Sequence, residues 1–268
     1  MDDTALLALA ADLARRAGAA ILAVRARGFE TRRKEDASPV TAADHAAEAV
    51  IAEGLRAATP GIAVVAEEEV AAGHVPEVGA EYWLVDPLDG TREFAALRDE
   101  YTVNIGLVRD GRAVLGAVGV PAFGELFLGH VGRGAWKRTG AGEHAIRARR
   151  PPPEGLHVLA SRSHGRDCRI AGLLAGRPVT GVTKMGSALK ICRLAEGVGD
   201  LYPRFGRTME WDTAAPQAVL EAAGGTVRRL EGGGELRYGK PGWENPGFVC
   251  TGRPAERDEG HGEEHGAR

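Results

Sequence analysis

Two carboxylates, Asp86 and Asp89, follow an apolar run and are separated by Pro87 and Leu88. Proline fixes φ and the glycine after Asp89 permits unusual backbone angles, so the spacing predicts a sharp turn that points both carboxylates toward one space. Hard oxygen ligands of this kind suit Mg²⁺, Mn²⁺ or Ca²⁺ and not zinc. Thr91 then begins a predicted helix, where its hydroxyl and the first backbone N–H groups suit an anion. The alternative is an ordinary turn with Asp at its corners.

Three further acidic residues stand at predicted ends of strands or helices. Glu67 follows the apolar strand 62–66, Asp212 begins a predicted helix, and Asp44 lies in the first turn of a helix that begins near Thr41. Each has a structural alternative: a solvated charge for Glu67, an N-cap for Asp212 and a capping box for Thr41 with Asp44. If the acids converge, each pair at about 4 Å repels by on the order of 4 kcal/mol at an effective dielectric of about 20. Only bound cations make such a cluster tolerable.

Helices and strands alternate along the chain and predict a mixed fold. Apolar residues at helical spacing predict an amphipathic helix over 5–24, and a second helical pattern covers 41–58. β-type runs over 101–136, broken by two glycine-containing turns, predict consecutive antiparallel strands, so the first half is α+β. The second half alternates and is predicted to be α/β and layered. Its predicted segments are the strands 156–161, 179–183 and 200–205 and the helices 166–174, 187–196 and 212–223.

A proline run at 151–153 marks the predicted boundary between two regions. The predicted domains are 1–150, which carries most of the candidate ligands, and 151–252, which carries Asp212 and the candidates for nucleotide binding. Residues 253–268 are charged, rich in glycine and poor in apolar side chains, which predicts a disordered tail.

Composition narrows the class of function. The chain has 268 residues, enough to bury a large core in one domain or two. A net charge of -3 gives no global attraction to nucleic acid polymers or anionic membranes, which favours a small substrate held locally. Three cysteines without CxxC spacing disfavour disulfides and a zinc site, and they predict buried thiols in a reducing cytoplasm. Charges interrupt the apolar N-terminal run, so neither a signal sequence nor a transmembrane segment is predicted.

Motifs spread over roughly residues 6–252 resemble the inositol monophosphatase superfamily of metal-dependent, lithium-sensitive phosphatases. Their order is Glu67, then Asp-Pro-Leu-Asp-Gly-Thr at 86–91, then Trp-Asp-Thr-Ala-Ala at 211–215. Within the superfamily, the chain is most similar to the bacterial 3'(2'),5'-bisphosphate nucleotidases of the CysQ type. That narrower resemblance rests on the segments 38–44, 86–94, 101–105, 161–164, 186–190, 201–206 and 210–215. The resemblance implies a layered αβαβα sandwich.

The resemblance also implies a ligand set for two or three Mg²⁺ ions. Glu67 is implied as the first acid after its strand, with Glu68 and Glu69 as substitutes because this chain has a triple Glu there. Asp44 is similar to a family acid that borders a weaker metal position, and Lys34 falls in a loop that often supplies a basic residue. The implied ligands are Glu67, Asp86, the backbone carbonyl of Leu88, Asp89 and Asp212.

The implied mechanism is metal-assisted hydrolysis of a phosphomonoester without a phosphoenzyme. Thr91, hydrogen-bonded to Asp44, orients a water and helps to deprotonate it, with Glu67 assisting. The N–H groups of Gly90 and Thr91 hold the phosphate that is cleaved. Arg92 neutralises nearby charge or, alternatively, is a solvent-exposed helix residue.

A bisphosphate nucleotide needs a second, cationic pocket. Lys190 and Arg204 are the candidates for the phosphate that is not cleaved, with Ser163 and His164 near the sugar or base. The alternatives are a solvated lysine and an arginine paired with a carboxylate. The implied substrate-binding residues are Asp89, Gly90, Thr91, Arg92, Ser163, His164, Ser187, Lys190, Arg204 and Asp212.

The leading hypothesis is an enzyme that hydrolyses the 3'-phosphate of adenosine 3',5'-bisphosphate, a by-product of sulfate assimilation, to AMP and phosphate. A second candidate substrate is 3'-phosphoadenylyl sulfate. The closest alternative is another phosphatase of the superfamily, acting on inositol monophosphate, fructose bisphosphate or histidinol phosphate. A catalytically silent nucleotide-binding protein is the alternative from another class, and the retained acidic set argues against it. A monomer or a homodimer is expected.

Overall fold

Two large β-sheets with helices on their faces make up the computed structural model, which describes residues 1–33, 39–162, 169–174 and 176–254. The helices are α1 (Asp3–Arg27), α2 (Ala42–Ala58), α3 (Glu67–Ala71), α4 (Thr91–Ala95), α5 (Arg169–Leu174), α6 (Leu189–Ala195) and α7 (Ala214–Ala222). The strands of the first large sheet are β3 (Ala63–Ala66), β4 (Glu81–Asp89), β5 (Thr102–Arg109), β6 (Arg112–Val120), β7 (Glu125–His130), β8 (Gly134–Thr139) and β9 (Gly142–Ile146).

The second large sheet and two small ones complete the fold. Its strands are β10 (Leu156–Ser161), β11 (Val179–Met185), β12 (Leu201–Arg204), β14 (Thr226–Arg229) and β16 (Phe248–Thr251). The small sheets pair β1 (Thr31–Arg33) with β2 (Pro39–Thr41), and β13 (Thr208–Met209) with β15 (Glu244–Asn245).

The strands of the first large sheet after residue 101 are consecutive and antiparallel, as the sequence predicts. β3 and β4 are parallel, and each strand from β4 to β9 pairs antiparallel with the next. Alternate side chains separate its two faces, because successive residues of a strand point to opposite sides. Val85 and Ile105 pack in the core formed with α1 and α2, whereas Leu84 and Val108 pack on the opposite face.

Helix α1 lies on the first sheet because it carries an apolar stripe. Asp2 caps its N-terminus, accepting a hydrogen bond from the Ala5 N–H at 2.8 Å, and Gly28 with a φ of 81° follows its last turn. Leu13 and Ile21 are fully buried against the sheet. None of the described helices is both long enough and apolar enough to span a bilayer.

Helix α7 packs on the other face of the first sheet at unusually short range, and three glycines make this approach possible. A Cβ at Gly106 would lie 2.7 Å from the backbone N of Ala215, and one at Gly116 would lie 2.1 Å from its carbonyl oxygen. A Cβ at Gly129 would lie 2.4 Å from the Cα of Val219. Because α7 follows directly after Asp212, this contact fixes that acid relative to the first sheet.

The second large sheet lies beyond α6 and α7. β10 is parallel to β11 and β12, while β16 is antiparallel to β12 and β14. Phe127 of the first sheet and Leu194, Val219 and Phe248 of the later elements belong to one apolar cluster, so the regions on either side of residue 150 share a core. Leu174 of α5 packs on the outer face of the second sheet. The layers are thus helix, sheet, helix, sheet and helix, which confirms the predicted fold class.

The predicted buried thiols are present at Cys192 and Cys250, both free and buried. Cys168 and the tail 255–268 lie outside the described residues.

Candidate active site

Asp86 and Asp89 lie on the same face of β4 because of a β-bulge. Asp86 is paired with Asn104 and Asp89 with Thr102, so the stretch of β4 between the two acids is one residue longer than its partner stretch. Opposite residues of antiparallel strands share a face, and the extra residue therefore brings both carboxylates to one side. The sharp turn predicted between the two acids is wrong, because β4 continues to Asp89. The chain turns at Gly90, whose φ is 92°.

A cavity of about 470 Å³ lies beside this bulge, and its lining carries charges of both signs. We call its acids Glu67, Asp89 and Asp212 the acidic side and its cations Lys190 and Arg204 the basic side. The structure therefore brings together acids that come from three distant segments of the chain. The other predicted site residues that line the cavity are Gly90, Thr91, Arg92 and Ser187.

Asp86 is buried, Asp89 and Asp212 are partly buried, and the three carboxylates repel one another. Burial raises the pKa of Asp86 well above its ordinary range, and repulsion from Glu67, Asp89 and Asp212 raises it further. Burial likewise raises the pKa of Asp212 well above the ordinary range. The pKa of Asp89 is also raised by burial, although the Lys190 ammonium opposes the rise. Such mutual repulsion is relieved when a cation lies among the carboxylates.

Glu67 is the acid of the Glu67–Glu69 triplet that lines the cavity. The neighbouring Glu68 is buried, and its backbone N–H donates to Oε2 of Glu48 at 2.8 Å. Glu69 instead forms an ion pair with Arg56 at 2.5 Å. The geometry therefore favours Glu67 over both substitutes. Burial raises the pKa of Glu48 to about 7, and repulsion from the triplet adds to the rise.

Thr91 and Asp44 are in contact, as the resemblance implied. Oγ1 of Thr91 lies 3.1 Å from Oδ1 of Asp44 and 3.1 Å from the carbonyl oxygen of Leu88. Oδ2 of Asp44 accepts the backbone N–H of Thr41 at 2.7 Å and its hydroxyl at 2.8 Å, which completes the capping box of α2. The structural and functional interpretations of Asp44 are therefore compatible, because each uses a different oxygen.

Asp212 lies in a short 3-10 turn, Glu210–Asp212, that the rest of the fold holds firmly. Its Oδ2 accepts the backbone N–H of Met209 at 2.9 Å. The fully buried carboxylate of Glu210 accepts the N–H groups of Gly239 and Lys240 and pairs with the Lys240 ammonium at 2.5 Å. Sequence analysis missed Glu210, since an acid beside the Trp-Asp motif carries no signal that it is buried.

Lys190 is buried rather than solvated. Its Nζ donates to the carbonyl oxygens of Ser187 at 2.5 Å and Met185 at 3.3 Å, and it lies 5.1 Å from the ring centre of Tyr202. Burial lowers its pKa to about 8. Lys190 therefore lines the cavity and also holds the turn that precedes α6.

Arg204 presents its guanidinium to the basic side of the cavity. NH1 donates to Oγ of Ser161 at 3.4 Å, and NH2 donates to the carbonyl oxygen of Arg207 at 2.9 Å. Its Nε is buried and has no hydrogen-bond partner within the described parts of the chain. Arg204 forms no ion pair with a carboxylate among the described residues, so the alternative role predicted for it is not seen there.

The backbone N–H of Ala188 connects the two regions at the site. It donates to Oδ2 of Asp89 at 2.5 Å. The preceding residue, Ser187, has a φ of 49°, a conformation that is uncommon for a residue with a side chain. Sequence analysis included this segment but missed the amide, because no side chain marks a backbone donor.

Three residues predicted for the site lie outside the described residues: Ser163, His164 and Lys34.

The donor chemistry of the acidic side fits a hard divalent cation. Its oxygen atoms belong to carboxylates and to a backbone carbonyl, the ligand types that Mg²⁺ prefers. In the ranges that the structure describes, no group of three or more Asp, Glu, His or Cys side chains forms a ready-made metal centre. One oxygen each of Asp86, Asp89 and Asp212 accepts a backbone N–H.

Comparison with known proteins identifies the family. The sequence matches the profile of the Inositol monophosphatase family over residues 2–264, nearly its whole length. The chain belongs to the inositol monophosphatase family. This confirms the resemblance found in the motifs.

Among the members of the inositol monophosphatase family, the chain is similar to enzymes named 3'(2'),5'-bisphosphate nucleotidase CysQ. That of Salmonella typhimurium is 44% identical over 243 residues, covering 89% of this chain and 96% of the relative. That of Escherichia coli K12 is 42% identical over 240 residues, covering 88% of this chain and 95% of the relative. The crystal structure of CysQ from Bacteroides thetaiotaomicron, 33% identical, superposes with a TM-score of 0.77 over 93% of this chain and 97% of that one.

Proposed function

We propose that the chain is a Mg²⁺-dependent 3'(2'),5'-bisphosphate nucleotidase that hydrolyses the 3'-phosphate of adenosine 3',5'-bisphosphate to AMP and phosphate. The observation that carries the proposal is one cavity that is lined both by the acids Asp89 and Asp212 and by the cations Lys190 and Arg204. A substrate with one phosphate to cleave and another to hold needs both sides. The CysQ relatives, at 42–44% identity, support the same assignment.

The basic side suits the phosphate that stays on the product. The buried Nε of Arg204 lacks a partner among the described residues, so it is available to an anion. Two N–H groups of Lys190 already bond backbone carbonyls, which leaves one donor and the positive charge for the ligand. Charge-assisted hydrogen bonds of this kind are about twice as strong as neutral ones.

The acidic side suits the reacting phosphate. When bound, Mg²⁺ supplies a Lewis acid that acidifies a water and neutralises the leaving oxygen. The residues that would hold it are Glu67, Asp86, Asp89, Asp212 and the carbonyl of Leu88. The amides of Gly90 and Thr91 lie next to these acids and receive the oxygens of the same phosphate.

Thr91 and Asp44 form a route for the proton of the attacking water. When the Thr91 hydroxyl donates to Asp44, its oxygen can accept a hydrogen bond from water. The water proton passes to the Thr91 oxygen while the hydroxyl proton moves to Asp44, so the two groups act as one base. Asp44 is held for this task by its two bonds from Thr41.

The proposal is tested by measuring phosphate release with Mg²⁺ from four substrates in parallel. These are adenosine 3',5'-bisphosphate, inositol monophosphate, fructose bisphosphate and histidinol phosphate. We expect the nucleotide to have the highest kcat/KM and AMP to be the nucleoside product. A higher kcat/KM for inositol monophosphate would assign the chain to the inositol phosphatases of the family.

The role of Arg204 gives a sharper test of the substrate. Arg204→Met should reduce kcat/KM for adenosine 3',5'-bisphosphate by roughly 10- to 100-fold, the loss expected for hydrogen bonds to a charged group. It should change kcat/KM much less for 3'-AMP, which has no 5'-phosphate. Arg15→Ala removes an exposed arginine of α1 and serves as the control. Equal losses on both nucleotides would place Arg204 elsewhere than at the 5'-phosphate.

A further inference from the structure

Asn104 of β5 is completely buried, yet neither polar atom of its side chain has a hydrogen-bond partner in the described part of the chain. Most buried amide groups in proteins are bonded, and a buried group without a partner costs stability. An apolar side chain of the same shape would fill this position without that cost. The unpartnered amide of Asn104 therefore indicates that a ligand bonds it or that its neighbours adopt a second conformation.

The register of the sheet places Asn104 beside the acidic side of the site. It is the direct partner of Asp86 across the β4 and β5 pair, so the two side chains project from the same face. Thr102 is the next residue of β5 on that face, and its hydroxyl lies 3.5 Å from Oδ2 of Asp89. β5 thus presents one polar side chain to each of the two aspartates.

The Thr102–Asp89 pair and the Asn104–Asp86 pair differ in their hydrogen bonds. Thr102 reaches Asp89, whereas the hydrogen bond found for Asp86 comes from the backbone N–H of Leu88 to Oδ1. A carboxylate that binds a cation is commonly oriented by hydrogen bonds from neighbouring donors. The backbone N–H groups of Leu88 and Ala188 supply one such donor to Asp86 and to Asp89, and Thr102 adds a side-chain donor to Asp89. Asn104 is the side chain that the strand register places opposite Asp86 to add the corresponding donor there.

We propose that Asn104 is a positioning residue for Asp86. In the cation-loaded protein its carboxamide N–H bonds the Asp86 carboxylate, directly or through one water, and holds it in the orientation that the cation needs. This inference rests on the proposed metal-dependent function. It gives a role to Asn104, a residue of the segment 101–105 to which the resemblance assigned no function.

If Asn104 has a purely structural role, the opposite result is expected for cation binding. The face of β5 that carries Asn104 also packs on α7, since a Cβ at Gly106 would meet Ala215. If Asn104 only fills this contact, replacing it with a residue of similar shape should leave cation binding unchanged. Asn104→Leu keeps the shape and removes both polar atoms.

The experiment measures Mg²⁺ binding without substrate, by calorimetry and by the rise in Tm on adding Mg²⁺. We expect Asn104→Leu to unfold at the same temperature as the wild type or higher when Mg²⁺ is removed. We expect its Kd for Mg²⁺ to rise by about 10- to 100-fold, as for the loss of other groups that hold a metal ligand. Asn104→Thr, which keeps a donor, should recover part of the affinity.

Val118→Ala is the matched control, because Val118 pairs with Asn104 on its other side and is fully buried. It should lower Tm without changing the Kd for Mg²⁺. Wild-type affinity in folded Asn104→Leu, or in Asn104→Ala if leucine does not fold, overturns the inference and leaves the proposed function intact. A wild-type protein that does not bind Mg²⁺ at all overturns the proposed function itself.

Discussion

Oγ1 of Thr91 lies 3.1 Å from Oδ1 of Asp44, although 47 positions separate the two residues in the sequence. The contact joins the first turn of α4 to the first turn of α2. It gives the hydroxyl that faces the cavity a carboxylate partner, which is the arrangement needed to take a proton from water.

Removing either partner should lower kcat. Thr91→Val and Asp44→Asn should each reduce kcat by roughly 10²- to 10⁴-fold, the range for loss of a general base, with little change in KM. The double variant should lose little more than either single one, because groups that act as a unit are not additive. Steady-state kinetics on adenosine 3',5'-bisphosphate measures all three.

Thr91→Ser is the control for this pair. It keeps the hydroxyl and should retain most of the activity. Multiplicative losses in the double variant would mean that Thr91 and Asp44 act separately.

The metal-free protein should become less stable as the pH rises, and Asp86 should be one cause. Its pKa in the folded protein is raised above the unfolded value, so its favourable contribution is complete below about pH 4 and is lost as the pH rises. Asp86→Asn should therefore raise Tm in EDTA at about pH 8, by roughly 5 °C, and have little effect near pH 4. Thermal unfolding of both proteins across this range gives the comparison.

Addition of Mg²⁺ completes that measurement. It should raise the Tm of the wild type at about pH 8, because the cation removes the repulsion among the acids. Asp86→Asn should respond far less. An equal response from both proteins contradicts the ligand role of Asp86.

Glu48 should affect stability in a different pH window. Its pKa is raised to about 7 in the folded protein, so the stability that it contributes is present below about pH 4.5 and is lost as the pH rises through 7. Glu48→Gln keeps an acceptor for the Glu68 N–H and should stabilise the metal-free protein by up to about 3 kcal/mol at pH 8. Denaturant unfolding at about pH 5 and pH 8 tests the sign. A variant that is destabilised equally at both pH values contradicts the prediction.

Gly116 should be indispensable for the approach of α7. Gly116→Ala puts a Cβ within 2.1 Å of the Ala215 carbonyl oxygen, so the helix must shift or the protein must unfold. We expect a loss of about 3 kcal/mol or more, as for other overpacked sites, together with weaker Mg²⁺ binding because Asp212 precedes α7. Gly119→Ala is the matched control in the same strand, since its Cβ would have ordinary contacts of 3.6 Å or more. Denaturant unfolding and calorimetry compare the two, and equal stability would mean that α7 is not held so closely.

Much of this protein could be predicted from local patterns. The antiparallel run after residue 101, the long N-terminal helix and the alternation of the second half were all predicted from periodicity. The acids Glu67, Asp86 and Asp212 were candidates because each follows an apolar strand or opens a predicted helix, and the family resemblance implied that they act together.

Other features followed only from tertiary structure. The residues between Asp86 and Asp89 predict a turn, but pairing with β5 converts them into a bulge that keeps both acids on one face. Residue type could not separate Glu67 from its two neighbours, whereas burial against Glu48 and pairing with Arg56 did so.

The sequence by itself determined the family, the order of the elements and the chemical types available to the site. Only the tertiary structure decided which groups meet: the Ala188 amide with Asp89, the Lys190 ammonium with two carbonyls, and Asn104 opposite Asp86. The physical reason is the distance along the chain over which each kind of signal acts. Periodicity and side-chain type report preferences over a few residues, while these contacts depend on strand register and on packing between distant segments.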